Sequence, residues 1–122
     1  MSTHVIFARF FGSAAIVAAA FALATASARA SDSATLVASN WTFSQTVVTA
    51  HVAVPMTLQL TSKEGVHGIQ SDALGIPSTM LIPGKTVTVT FTPTKAGTYV
   101  VHCSVPCGSG HANMAFTVKV VP

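Results

Sequence analysis

Two cysteines, a histidine and a methionine stand close together in His102-Cys103-Ser104-Val105-Pro106-Cys107-Gly108-Ser109-Gly110-His111-Ala112-Asn113-Met114. Thiolate, imidazole and thioether are soft or borderline donors, and together they suit copper. Plainer uses exist for the same residue types. One Cys pair in an exported chain normally closes a disulfide, in which case His111 and Met114 at this spacing are coincidence. Two Cys with two His can also hold a structural zinc, which leaves Met114 idle. A further donor must arrive from another part of the chain, and His67, in Glu64-Gly65-Val66-His67-Gly68-Ile69, is the candidate. By itself His67 reads as a loop histidine and Met114 as core packing.

The elements that must position these residues read as strands. Met56, Leu58 and Leu60 alternate with Thr57, Gln59 and Thr61; Val87, Val89 and Phe91 alternate with threonines; Phe116, Val118 and Val120 repeat the pattern. A period of two marks half-buried strands. Breaks at Pro55, Pro83-Gly84, Pro93 and Ala96-Gly97 space them as in an all-β sandwich or barrel. The Cys/His/Met segment falls between a strand at 99–103 and another at 115–121, so it is a connecting loop at one end, and Gly108 and Gly110 permit the turns that aim its side chains at one point. His102 alternates away from Cys103 towards solvent, and His51 faces solvent as well. Trp41, Phe43, Phe91, Tyr99 and Phe116 are expected to fill the core, with Trp41 also a candidate electron relay; Met56 and Met80 read as packing rather than a second copper site.

The chain is short, 122 residues with 50% hydrophobic and 7% charged, which sets a ceiling of one domain and excludes a disordered tail. Beyond Ala30, Lys63, Lys85, Lys95 and Lys119 face Asp32, Glu64 and Asp72, a balance of +1. Four scattered lysines make no phosphate-binding face, so nucleic acid is not an expected partner. A hydrolase is equally poorly supported, since Ser104 and His111 have no acid nearby in sequence. Residues 1–30 have the layout of a Sec export signal: Arg9, an uncharged run over 10–26, then Ala28-Arg29-Ala30. Cleavage after Ala30 gives a mature domain of 31–122. Retention gives a single anchor, since the uncharged run just reaches the ~17–25 residues that span a bilayer. The expected location is the periplasm, or the outer face of the inner membrane if the segment stays.

Cys-x3-Cys-x3-His-x2-Met, with Val-His-Gly 36 residues ahead of the first Cys, resembles the binuclear copper A domain of haem-copper oxidase subunit II, a cupredoxin. The likeness runs from about Asn40 to Val121 and includes the Pro83-Gly84 turn and the hairpin at 95–99. It implies a Greek-key cupredoxin sandwich over about 34–122. It also implies bridging thiolates from Cys103 and Cys107, imidazoles from His67 and His111, a weak axial thioether from Met114 and a weak axial carbonyl from Val105. Two coppers per chain would pass single electrons as a component of a respiratory oxidase rather than as a catalyst alone. A cytochrome c, a haem-copper catalytic subunit or both would be the partners. Copper delivery to an oxidase under assembly uses the same ligands and is the alternative. Val105 replaces the acid that supports magnesium in the common oxidases, so magnesium is not expected, and Pro106 biases Val105 towards an extended backbone. The Trp-rich stretch and double membrane hairpin of many such subunits are lacking, which brings the chain nearer the short B-type or a free-standing form.

Partner contact is expected around His111 and the apolar segment 69–76, with Ile69, Leu74 and Ile76 forming a weakly charged patch suited to transient encounters. Intact mass of the exported protein checks the processing: a chain starting at Ser31 is expected, whereas a full-length membrane-extracted product would establish the anchor.

Overall fold

The computed structural model describes residues 30–122 together with Ala20 and Ala22, so the signal or anchor expected over 1–30 lies, those three alanines apart, outside the described residues. Nine strands follow: β1 (Asp32–Ser39), β2 (Thr42–Phe43), β3 (Val47–His51), β4 (Met56–Ser62), β5 (His67–Ser71), β6 (Ile76–Leu81), β7 (Val87–Phe91), β8 (Gly97–His102) and β9 (Ala115–Val121). They form two sheets, one ordered β2-β1-β4-β7 and the other β3-β9-β8-β5-β6. The all-β sandwich expected from the period-two pattern is the fold of the chain.

The alternation in sequence becomes alternation in burial. β4 buries Met56, Leu58, Leu60 and Ser62 and turns Gln59 outward. β9 buries Phe116, Val118 and Val120 from the opposite sheet. Each fully buried leucine stabilises the fold by about 1.5–3 kcal/mol over leaving it in water. The inner faces meet at Phe43 and Phe116, whose rings pack edge to face with centroids 5.0 Å apart and planes at 73°.

Two parallel pairings set which ends of the strands converge. β1 lies parallel to β4 from Asp32↔Met56 to Ala38↔Ser62, and β3 lies parallel to β9. β1, β4 and β8 therefore finish at the pole where β5 and β9 begin, and residues 40–41, 63–66 and 103–114 all belong to that end. At the opposite pole the Asp32 carboxylate accepts the His51 backbone N–H at 2.8 Å and lies 3.0 Å from its Nδ1, tying the start of β1 to the end of β3. This exposed pair holds register more than it adds stability.

Strands β5 and β6 are the part the alternation rule does not reveal. His67-Gly68-Ile69-Gln70-Ser71 is buried almost throughout, because β5 lies inside its sheet with β8 on one side and β6 on the other. A strand without an exposed face has no period of two.

Candidate metal centre

The loop at 103–114 is the tip of the antiparallel β8–β9 hairpin. His102 pairs with Ala115, and one step further the Cys103 N–H donates to the Met114 carbonyl at 2.9 Å, closing the neck of the loop as a continuation of the ladder. Past Gly108, whose φ of +123° disfavours a side chain, the chain makes a single 3-10 turn over His111–Asn113. The His111 N–H donates to the Gly108 carbonyl and the Met114 N–H to the His111 carbonyl. The loop thus folds its own polar groups inward on itself and leaves its sulfur side chains facing the core.

Cys103 and Met114 are buried and Cys107 partly so. The Sγ atoms of Cys103 and Cys107 stand 3.4 Å apart as free thiols. Met114 Sδ lies 3.8 Å from Cys107 Sγ, and His111 Nδ1 lies 3.5 Å from the same sulfur. The Val105 carbonyl is 3.3 Å from Cys103 Sγ. Burial raises the Cys107 thiol to about 11, assisted by its contact with Cys103, so without a cation that sulfur keeps its proton near neutral pH.

His67 completes the group from the other ligand segment. It is the first residue of β5 rather than a loop residue, and it is fully buried. Its Nε2 lies 2.8 Å from the Glu64 carbonyl, which can only accept, so Nε2 carries the proton and Nδ1 presents a bare lone pair. That Nδ1 is buried with no hydrogen-bond partner. An orphaned acceptor of this kind costs stability unless something binds it. The ligand atoms of His67, Cys103 and Cys107 all lie within 4.8 Å of one another, a spacing that fits a small cation between them. His111 stands outside this tight trio and touches only its Cys107 side.

Nothing in the sequence marks Ser62 as a site residue, and Gly68 enters the sequence motif without a stated role. The Ser62 hydroxyl donates to the Gly65 carbonyl at 2.6 Å and contacts the Glu64 carbonyl at 3.1 Å, bracing the turn that holds His67. Gly68 is where the ligand loop presses on β5: a Cβ there would stand 2.5 Å from Ser104 Oγ and 2.8 Å from Val105 Cγ2. Ser104 in turn accepts from Ser78 at 2.8 Å, linking the loop to β6.

Three expectations need correction. The apolar segment 69–76 is not a docking surface: Ile69 and Ile76 are 0% and 1% exposed and Leu74 is 8%, because these side chains close the core under β5 and β6. Trp41 is not core. It is 37% exposed and lies on the ligand loop, with its Nε1–H donating to the Cys107 carbonyl at 2.9 Å. Phe43, Phe91 and Phe116 pack inward and Tyr99 partly, and Met56 is buried as expected, whereas Met80, expected to pack, is 53% exposed on β6.

A family model described as the Cupredoxin-like domain matches residues 12–114. Among solved structures, a chain of a haem-copper terminal oxidase dimer is 28% identical with a TM-score of 0.65, covering 74% of this chain and 65% of that one. This chain therefore spans about two thirds of the length of that oxidase chain. The periplasmic domain of subunit II of cytochrome oxidase of Bradyrhizobium japonicum is 20% identical with a TM-score of 0.64, covering 73% and 83%. Auracyanin A, a "blue" copper protein from the green thermophilic photosynthetic bacterium Chloroflexus aurantiacus, is 19% identical with a TM-score of 0.54, covering 73% and 99%. The last two likenesses are of fold.

The seating of the loop on β5 gives a direct check. Gly68→Ala should lower stability by about 1–3 kcal/mol, the usual cost of overpacking, read from the midpoint of urea unfolding. An unchanged midpoint would mean that the loop does not rest on Gly68.

Proposed function

The chain belongs to the cupredoxin-like family, and from that premise we propose that it transfers single electrons through a binuclear copper centre held by Cys103, Cys107, His67 and His111, with Met114 and the Val105 carbonyl as weak axial donors. The observation that carries the reading is the buried, unpartnered Nδ1 of His67 on a ring that clusters within 4.8 Å with two thiols standing 3.4 Å apart. The fold alone does not choose between one copper and two, since both a blue copper protein and oxidase subunit II share it. The second cysteine supports two. A mononuclear blue site takes one Cys with two His and a weak Met, whereas here a second sulfur, Cys103 Sγ, lies 3.4 Å from Cys107 Sγ, which has His111 Nδ1 at 3.5 Å and Met114 Sδ at 3.8 Å.

Bound copper supplies a one-electron couple, and the work of the polypeptide is to keep that couple from reorganising. Cys103 and Cys107 would hold the copper, and their thiolates would help to delocalise the charge that one electron brings. Strand ends fix His67 and Cys103, the closed neck fixes Met114, and burial keeps water out, so the donors need not move when the charge changes. Loading requires that both thiol protons leave, which makes uptake more favourable as pH rises. An exported chain of this kind fits an oxidase component or a soluble carrier that meets a cytochrome c or a haem-copper catalytic subunit. Contact would be made at the pole carrying His111.

Loaded protein should contain two coppers per chain and show a mixed-valence electron resonance spectrum with hyperfine splitting shared over two nuclei. Cys103→Ser and Cys107→Ser should each abolish that signal, while Met114→Leu should keep both metals and shift the potential. One copper with a single-nucleus spectrum would defeat the binuclear reading, and a freely exchangeable cuprous ion would favour copper delivery instead.

A further inference from the structure

We infer that Trp41 is a positioning residue of the metal centre, clamping the ligand loop through its hydrogen bond to Cys107 and its ring contact with Gly108 and Gly110, while its neighbour Asn40 braces the turn that orients His67. The inference rests on the copper reading above and extends it to residues outside the donor set.

The β1–β2 turn at residues 40–41 reaches both halves of the site. On one side the Asn40 N–H donates to the Glu64 carboxylate at 3.2 Å. Glu64 is the residue whose carbonyl accepts the Nε2–H of His67. A Cβ on Gly65 would stand 2.9 Å from Asn40 Oδ1 and 3.2 Å from His67 Nε2, so the Asn40 side chain lies directly over this turn. On the other side the Trp41 indole donates to the Cys107 carbonyl at 2.9 Å. The ring lies flush on the loop, and a Cβ on Gly108 would approach its Nε1 to 2.8 Å.

Gly110 provides the independent observation. Its φ of −91° and ψ of 3° are those of the third residue of a type I turn, which most residues adopt, so its backbone does not call for glycine. A Cβ there would stand 2.5 Å from Trp41 Cγ and 2.7 Å from Cδ2, so the missing side chain leaves room for the indole. A large aromatic that is 37% exposed adds less to the core than a buried one. What this one does is hold Cys107, the sulfur shared by Cys103, His111 and Met114, against the direction in which the loop would open. Partners of metal ligands in this position typically change metal affinity by about 10- to 100-fold when removed.

The test uses the full mature chain and copper itself. Trp41→Ala should release copper to a chelator about 10- to 100-fold faster than the unaltered chain. Trp41→Phe, which keeps a ring but loses the N–H, should fall between them and shift the reduction potential. Gly110→Ala should change release in the same direction by displacing the indole. Copper-free unfolding midpoints, measured alongside, separate a loosened loop from a lost fold, and the Phe variant keeps the ring contact if the Ala variant does not fold. Trp41 is the sole tryptophan, so its emission reports the contact without metal: in copper-free protein Gly110→Ala should red-shift it. Release rates, spectra and potentials equal to those of the unaltered chain in all three variants would overturn the clamp, as would unchanged emission in Gly110→Ala. Failure of the unaltered chain to take up copper would remove the copper reading and this one with it.

Discussion

The His67 ring is held from behind by the Glu64 carbonyl, and that single hydrogen bond decides what the rest of the site can be. It fixes the tautomer, turns Nδ1 inward and leaves a lone pair in a buried space with nothing from the protein to meet it. Much of the surrounding structure serves this arrangement. Ser62 spends its buried hydroxyl on the carbonyls of Glu64 and Gly65 rather than on its own strand. Gly65 turns with a φ of +74°, where a side chain would press on His67 Nε2 and Asn40. Gly68 lets the cysteine loop come down onto β5 until Ser104 reaches the Ile69 carbonyl at 3.3 Å. A ring free to rotate would satisfy Nδ1 with a backbone partner, and the two thiols would then be a pair of ordinary buried cysteines.

The second ingredient is that the donors are held on rigid strand ends while their protons are not yet gone. Burial and mutual proximity keep the Cys107 thiol protonated up to about pH 11, so this partly buried sulfur carries no charge to desolvate in the metal-free protein. Cys103, Cys107 and His67 would hold a cation from positions that the strand ends and the closed neck already fix. The arrangement is preformed by the sandwich, with the closed neck from Cys103 N–H to the Met114 carbonyl setting the loop's width. Stability of the small domain and readiness of its site are therefore the same packing problem viewed at two ends of the strands.

How much of this could be read from the sequence follows from which interactions are local. β4, β7 and β9 each have one wet face, so alternation exposed them, and the spacing of Cys103, Cys107, His111 and Met114 along one loop is short enough to suggest a shared target. β5 was hidden because it has almost no exposed face, and the burial of Ile69, Leu74 and Ile76 makes them core residues where an apolar surface patch was expected. Trp41 was legible only as an aromatic. Its partner is the Cys107 carbonyl 66 residues away, and neither composition nor periodicity carries information about a contact of that range. Gly110 offers a clue in retrospect, since only the fold shows that its backbone has no need of glycine.

Anomalous diffraction at the copper edge from crystals of the loaded protein tests the central claim most directly. Two peaks between the Cys103 and Cys107 sulfurs, one within bonding reach of His67 Nδ1 and the other of His111, are the predicted result. A single peak, or copper bound away from the His67 lone pair, would contradict it.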